Sequence, residues 1–171
     1  MIQYEVNDAG LTLIEEFEGF SATPYRDIAG VWTIGFGHAI KPGEKFTSLT
    51  RETAAHLLYL DAQVAWTGLN KAVTQFQLSQ NAVNALVSFI YNVGVEGFTG
   101  SPIPALLNAG NLREAAQHML LWVHAGKVVS EDLVRRRQEE TTLMLTPDAS
   151  PPPTSTDQAS YKKSKSKKSS R

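Results

Sequence analysis

The chain of 171 residues contains no cysteine, which excludes disulfides, thiolate metal sites and a cysteine nucleophile. It also lacks any run close to the roughly 18 apolar residues that a membrane-spanning helix needs. Its start shows neither the basic segment nor the apolar core of a signal peptide. We therefore expect no integral membrane segment, and synthesis in the cytoplasm without a recognisable signal peptide.

Metal ligands are scarce as well. Three of the four histidines, His56, His118 and His124, show no pairing with acidic residues at the spacing of metal ligands. We interpret these three as surface or edge residues, and we expect no metal site.

The net charge of −1 hides an asymmetry along the chain. Residues 148–171 hold six Lys/Arg and two Asp, a net of +4, whereas residues 1–147 hold ten basic and fifteen acidic residues, a net of −5. The Pro-, Ser- and Lys-rich end cannot bury enough apolar surface to order itself. We expect one folded domain over 1–146 and a disordered basic tail over 147–171. The tail is a solvated charge run, a tether to anionic polymers or lipid headgroups, or a localisation signal; no nucleic-acid partner is expected.

Five segments have the apolar pattern of helices, each with a side chain at its start that can cap it. They are 7–18 with Asn7 or Asp8, 51–68 with Thr50, 79–93 with Ser79, 112–122 with Asn111, and 131–145 with Ser130. The segment 79–93 is apolar on much of its circumference and should be the central buried helix. Trp122 should close its helix as a core residue.

One stretch, residues 18–38, has a different pattern and reads EGFSATPYRDIAGVWTIGFGH. Its β-forming residues are punctuated by glycines, which predicts a helix end followed by a short β-hairpin. Glu18 lies at the helix end, Asp27 on the hairpin and Thr33 on the returning strand. The aromatic neighbours of Glu18 favour a protonated carboxyl, and the turn around Asp27 favours an ionised one. Each residue alone is common at such a place, but together they are typical of glycosidic hydrolysis.

This stretch resembles the catalytic signature of phage-type lysozymes, the endolysins of glycoside hydrolase family 24. The matching residues are Glu18-Gly19, Asp27, Gly30, Thr33-Ile34-Gly35, Gly37 and His38, and weaker similarity continues in 88–94, 107–110 and 133–137. The resemblance covers roughly residues 8–145. It implies an α+β, mostly helical fold of two lobes: a small β-hairpin lobe and a larger helical lobe, with a cleft between them.

The resemblance also implies a reaction, the hydrolysis of the β-1,4 bond between N-acetylmuramic acid and N-acetylglucosamine in peptidoglycan, without metal or cofactor. Glu18 would protonate the leaving oxygen, while Asp27 and Thr33 would position a water on the opposite face of the sugar, with inversion. Tyr91 and Asn92 would bind substrate at the cleft, unless Tyr91 is a core residue and Asn92 a helix cap. The expected protein is a monomer that acts on glycan strands of the cell wall after holin-like release.

Two other functions remain open. A lytic transglycosylase would cut the same bond with a single acid and without water. A non-catalytic wall-binding protein would keep the fold alone. The presence of Glu18, Asp27 and Thr33 together argues against both.

Two ion pairs are also expected, one made by His38 and one by Arg137. His38, which follows the glycine-bracketed strand, should pair with Asp61 on the 51–68 helix and carry a raised pKa.

On the last helix, a rotation of about 100° per residue turns Arg137 inward, Arg136 to the margin and Arg135 to solvent. A buried guanidinium needs a carboxylate, and we expect Glu15 or Glu18 as the partner of Arg137.

Overall fold

The computed structural model describes residues 3–150. Its helices are α1 (Asp8–Glu18), α2 (Arg51–Ala72), α3 (Gln80–Val93), α4 (Val95–Thr99), α5 (Ile103–Asn108), α6 (Leu112–Met119) and α7 (Glu131–Met144). Its strands are β1 (Ser21–Arg26), β2 (Trp32–Gly35), β3 (His38–Ala39), β4 (His124–Ala125) and β5 (Val128–Val129). The first three strands form an antiparallel sheet in the order β1-β2-β3, and β4 and β5 form a separate hairpin. The α+β, mostly helical class is confirmed.

Four of the five predicted helix caps are present as side-chain hydrogen bonds to backbone N–H groups. The pairs are Asn7 with Gly10, Thr50 with Thr53, Ser79 with Ala82, and Ser130 with Leu133. Each satisfies one of the N–H groups that a helix start leaves without an intrahelical partner. The fifth is wrong, because the Asn111 side chain makes no capping hydrogen bond.

Helix α3 is the centre of the helical lobe, as its sequence predicted. The nine consecutive residues 82–90 are all buried, and α3 packs against α1, α2 and α7. Burying a Leu, Ile or Phe side chain contributes about 1.5–3 kcal/mol, so this helix supplies much of the core's stability.

Helix α2 joins the sheet to the helical lobe. It contains 22 residues and is therefore about 33 Å long. Near its start, a Cβ on Gly35 of β2 would lie only 3.1 Å from Cβ of Ala54. Near its end, Gly68 packs against Val95 of α4. The same helix thus contacts both lobes. Nothing in the described residues 3–150 is both helical and apolar over a length that could cross a membrane.

The segment after α6 differs from the prediction. Helix α6 ends at Met119 instead of continuing to residue 122, so Trp122 leaves the buried face and is 36% exposed. Its ring keeps an edge-on contact with Phe89, with centroids 6.0 Å apart.

The hairpin β4–β5 was not predicted. Gly126, with φ of 64°, makes its tight turn, and this glycine is the signal that the sequence offered.

After α7 the chain contacts the start of α3. The carboxylate of Asp148 accepts hydrogen bonds from N of Gln80 and of Asn81, both at 2.8 Å, at the start of α3. The Asn81 side chain in turn donates to the carbonyl oxygens of Thr146 and Pro147. These contacts fasten the chain as far as Asp148. The remaining part of the predicted tail, 151–171, lies outside the described residues.

Asp148→Ala should lower the free energy of unfolding by about 1 kcal/mol, because a carboxylate at a helix start both caps N–H groups and complements the helix dipole. Helix α3 has no acidic residue of its own in the first turn. Asp148→Asn, which keeps one acceptor and loses the charge, should cost less. Urea unfolding measures both. A stability of Asp148→Ala equal to that of the wild type would contradict this role.

Candidate active site

Glu18 is the last residue of α1 and points into the space between α7 and the sheet. Its side chain is 22% exposed, and Oε1 accepts a hydrogen bond from Nη1 of Arg136 at 2.7 Å. A Cβ on Gly37 would lie 3.0 Å from Oε2, so this position beside Glu18 needs glycine. Gly37 also has a φ of 80°, which L side chains rarely adopt.

Asp27 lies in the turn between β1 and β2. Its Oδ1 accepts from N of Val31 at 2.8 Å, and its own N donates to O of Val31 at 3.0 Å. Gly30, with φ of 79°, closes the turn. The residue is exposed, but its carboxylate is held by one oxygen in a fixed place, which leaves the second oxygen free to act on another molecule.

Thr33 is buried, with 4% exposure, and its Oγ1 donates to O of Val31 at 3.0 Å. The backbone of Val31 therefore orients both Asp27 and Thr33. In the strand register Thr33 lies opposite Tyr25. Burial, and then the charges of Glu18 and Asp27, raise the pKa of the Tyr25 hydroxyl, so both carboxylates lie in the region of Tyr25. Tyr25 thus relates the three residues, since Glu18 and Asp27 influence its hydroxyl and Thr33 lies opposite it.

A buried ion cluster on α7, which we call the arginine cluster (Arg136, Arg137 and Glu140), lies behind Glu18. Besides Glu18, Arg136 contacts Oε1 of Glu140 at 3.0 Å through Nε and the carbonyl oxygen of Ser88 at 3.1 Å through Nη2. The Ser88 hydroxyl donates to the same Oε1 of Glu140 at 2.7 Å. Arg136 is therefore fully buried and bound, not marginal as the helical rotation predicted.

Arg137 does turn inward, with 0% exposure, but the predicted partner is wrong. Its Nη1 lies 3.0 Å from Oε2 of Glu140, with the distance of an ion pair but without the alignment of a hydrogen bond. Its guanidinium covers the ring of Phe89 at 4.9 Å. Burial lowers the pKa of Arg137 to about 10, against the opposing charge of Glu140. Glu18, the expected partner, pairs with Arg136 instead.

Glu140 is a functional candidate that the sequence analysis missed. Its side chain has 0% exposure and lies between two guanidinium groups. Burial raises the pKa of Glu140, while Arg137 and Arg136 oppose that rise. The spacing contained the signal: Glu140 follows Arg136 by four residues and Arg137 by three, the distances at which helical side chains meet.

Tyr91 and Asn92 lie at the end of α3. The Tyr91 hydroxyl donates to O of Phe36 at 3.3 Å, and burial, followed by the charge of Glu18, raises the pKa of Tyr91. Asn92 is exposed, but its Oδ1 accepts a hydrogen bond from Arg137. The helix cap is Gly94 instead of Asn92. Tyr91 thus packs between the lobes, and Asn92 is held by Arg137 at the end of α3.

His38 contacts Asp61, the partner chosen from the sequence, with Nδ1 to Oδ2 at 2.7 Å. A second carboxylate, missed by the sequence analysis, is Glu44, whose Oε2 lies 2.9 Å from Nε2. Two carboxylates can accept from both ring nitrogens only if both carry protons. Burial favours the neutral ring, but the hydrogen bonds and charges of Asp61 and Glu44 outweigh it and raise the pKa of His38.

The stability that His38 contributes should depend on pH. A group whose pKa is raised on folding stabilises fully below its unfolded value, near 6.5, and loses this contribution as the pH rises through the folded value. The difference in Tm between the wild type and His38→Asn should therefore be largest at about pH 5.5 and shrink above neutral pH. His56→Asn is the matched control. A difference that grows between pH 6 and 9 would contradict the charged pair.

The described residues 3–150 contain no group of three or more His, Asp or Glu side chains that could hold a metal ion. The chemistry that the site itself offers is proton transfer. Glu18 is held by Arg136, and Asp27 uses one carboxylate oxygen for N of Val31 and keeps the other for a further partner. The Thr33 hydroxyl has lone pairs that can accept a hydrogen bond from water.

Comparison with known proteins points to one family. The family model for phage lysozyme matches residues 15–140. The endolysin of Salmonella phage P22 is 35% identical over 127 residues, which cover 72% of this chain and 86% of that protein. The endolysin of Bacillus phage B103 is 34% identical over 132 residues, covering 76% of this chain and 50% of that protein. The chain thus spans about half the length of the Bacillus phage endolysins that it matches.

A solved structure gives the same result for the fold. The muramidase domain of SpmX from Asticaccaulis excentricus superposes with a TM-score of 0.77 at 35% identity, covering 85% of this chain and all of that one. The matched residues include Glu18, Asp27 and Thr33 as well as the arginine cluster. This chain belongs to the phage lysozyme family.

Proposed function

We propose that this chain is an endolysin-type muramidase, which hydrolyses the β-1,4 bond between N-acetylmuramic acid and N-acetylglucosamine in peptidoglycan. One observation carries the proposal. Glu18 is held by Arg136 and Asp27 by Val31, the charges of both carboxylates raise the pKa of Tyr25, and Thr33 lies opposite Tyr25 on the neighbouring strand. Glycosidic hydrolysis needs such a pair of carboxyl groups flanking the bond.

The contacts of Val31 support the role of a water. Oγ1 of Thr33 gives its own hydrogen to O of Val31, so its lone pairs are available as acceptors. Asp27 uses only Oδ1 for N of Val31, which leaves Oδ2 as a second acceptor. A water that donates its two hydrogens to these two acceptors presents a lone pair to the sugar. Asp27 then takes the proton as the water attacks, while Glu18 gives its proton to the leaving oxygen, with inversion at the sugar carbon.

The names of the relatives support the substrate and the place of action. Two of the similar proteins are endolysins of phages, and the SpmX segment is a muramidase domain. We infer that the partner of this chain is the glycan strand of the bacterial wall, that the protein is a monomer, and that it reaches the wall by holin-like release. The basic tail would add attraction to anionic wall polymers or lipid headgroups.

Asp27→Asn tests the proposal in a turbidity assay on permeabilised Gram-negative cells. The wild type should clear the suspension, and Asp27→Asn should lower the rate about 100-fold or more, because the amide cannot take a proton. Thr33→Ala should be impaired and Thr33→Ser milder, since serine keeps the hydroxyl. Asp132→Asn, an exposed acid on α7, is the control. A wild type that binds the wall without clearing it would overturn the proposal in favour of a wall-binding protein.

A further inference from the structure

We propose that Glu140 is a positioning residue for Glu18, acting through Arg136. It holds the guanidinium in place, and its negative charge partly offsets the positive charge that Arg136 presents to Glu18. The inference rests on the proposed function, in which Glu18 must carry a proton when substrate binds. Glu140 itself makes no contact with Glu18 among the described hydrogen bonds and ion pairs, and its side chain is excluded from solvent.

Four side chains of alternating charge form a series of contacts that begins at Glu18. Glu18 lies 2.7 Å from Arg136, Arg136 lies 3.0 Å from Glu140, and Glu140 lies 3.0 Å from Arg137. The three inner side chains are between 0% and 5% exposed, so water and salt screen these interactions little.

The hydrogen bonds of Arg136 explain how Glu140 positions the acid. The guanidinium is planar and uses Nη1 for Glu18, Nε for Glu140 and Nη2 for the carbonyl oxygen of Ser88. Two of these three bonds anchor it to α3 and α7. The Ser88 hydroxyl fixes Glu140 in the same way. The direction from which Arg136 meets Glu18 is therefore set by Glu140 and Ser88.

The charge of Glu140 has a second effect. An arginine with Glu18 as its single carboxylate partner would strongly favour the ionised acid and oppose proton donation. Glu140 attracts the same cation from the other side and so weakens that preference. Other titratable groups of this region are Tyr25 on β1, whose pKa is raised by Glu18 and Asp27, and Tyr91 on α3, whose pKa is raised by Glu18 and Asp61. The substitutions below leave all of them unchanged.

The test uses two substitutions of opposite charge effect in the full chain, Glu140→Gln and Arg137→Met. Glu140→Gln keeps an acceptor for Arg136 and Ser88 but removes the negative charge, so the alkaline limb of the pH profile of kcat/KM should move down by on the order of one pH unit. Arg137→Met removes the competing cation and should move the same limb up. Glu139→Gln, the exposed neighbour, should leave the limb in place.

The opposite signs separate positioning from packing, because both substitutions break a buried ion pair and both lower stability. The double variant Arg137→Met/Glu140→Gln removes one buried charge of each sign and so leaves the net charge of the cluster unchanged. Its limb should lie below that of the wild type but above that of Glu140→Gln, because Glu140 contacts the arginine that holds Glu18, whereas Arg137 contacts Glu140. If either single variant fails to fold, the double variant alone decides. Limbs that move in the same direction, or a double variant identical to the wild type, would overturn the proposal.

A second readout does not need activity. Carbon NMR of protein labelled at the glutamate carboxyls follows the titration of Glu18, whose signal is identified by its absence in Glu18→Gln. The midpoint of the Glu18 titration should rise in the same order as the alkaline limbs, from Glu140→Gln through the double variant and the wild type to Arg137→Met. A wild type without hydrolytic activity would refute the proposed function, whereas an unmoved Glu18 titration in an active series would refute only the role of Glu140.

Discussion

Glu18→Gln should lower the rate of wall hydrolysis by about 100-fold or more, because the amide cannot donate the proton that the leaving oxygen needs. The fold should survive. A glutamine keeps an oxygen that can accept from Nη1 of Arg136, and Arg136 retains its bonds to Glu140 and Ser88. The assay is the clearing of permeabilised cells, with circular dichroism to verify the helices.

Glu16→Gln on the same helix is the matched control, because Glu16 is exposed and two residues away. It should retain wild-type activity. If Glu18→Gln kept more than about a tenth of the wild-type rate, a loss far smaller than removal of a general acid causes, Glu18 would not be the acid. If both variants lost activity equally, the effect would come from the charge of α1 and not from one carboxyl.

Arg137→Ala should destabilise the fold far more than Arg135→Ala. It removes one partner of a buried pair, leaves Glu140 with Arg136 alone, and opens a cavity beside Phe89. Such a break costs about 3–5 kcal/mol. Arg135→Ala should change the free energy of unfolding by less than about 1 kcal/mol, because Arg135 is exposed and its guanidinium lies 6.0 Å from the centre of the Phe17 ring, the outer limit of a cation–π interaction.

Thermal and urea unfolding of the two variants, measured side by side at neutral pH, give the comparison. Arg137→Met, which fills the same space, should recover part of the loss by keeping the contact with Phe89. Equal shifts for Arg135→Ala and Arg137→Ala would refute the buried position of Arg137.

The helices and the candidate site were predictable because local patterns determine them. The caps Thr50, Ser79 and Ser130 depend on a side chain three residues from the N–H that it binds, and the apolar run of α3 needs no knowledge of its neighbours. The order of Glu18, Asp27 and Thr33 around the hairpin follows from a turn closed by Gly30. These features are encoded within a few residues.

The partners of buried charges were harder to predict, because they depend on how α7 rotates against α1 and α3. Arg136 and Arg137 lie about 100° apart on α7, and the rotation of this helix against its neighbours decides which of them meets Glu18. Glu44 was missed for a similar reason, since the loop after β3 has no period to orient it. Trp122 was misplaced because α6 ends three residues early, at a point that no glycine or proline marks.

Product analysis tests the central claim most directly, namely that this chain adds water across the glycosidic bond. Purified peptidoglycan is digested by the wild type in water labelled with heavy oxygen, and the products are weighed by mass spectrometry. We expect muropeptides with reducing muramyl ends that carry one labelled oxygen, and none with Glu18→Gln. Unlabelled anhydro-muramyl ends would show a lytic transglycosylase and would contradict the account.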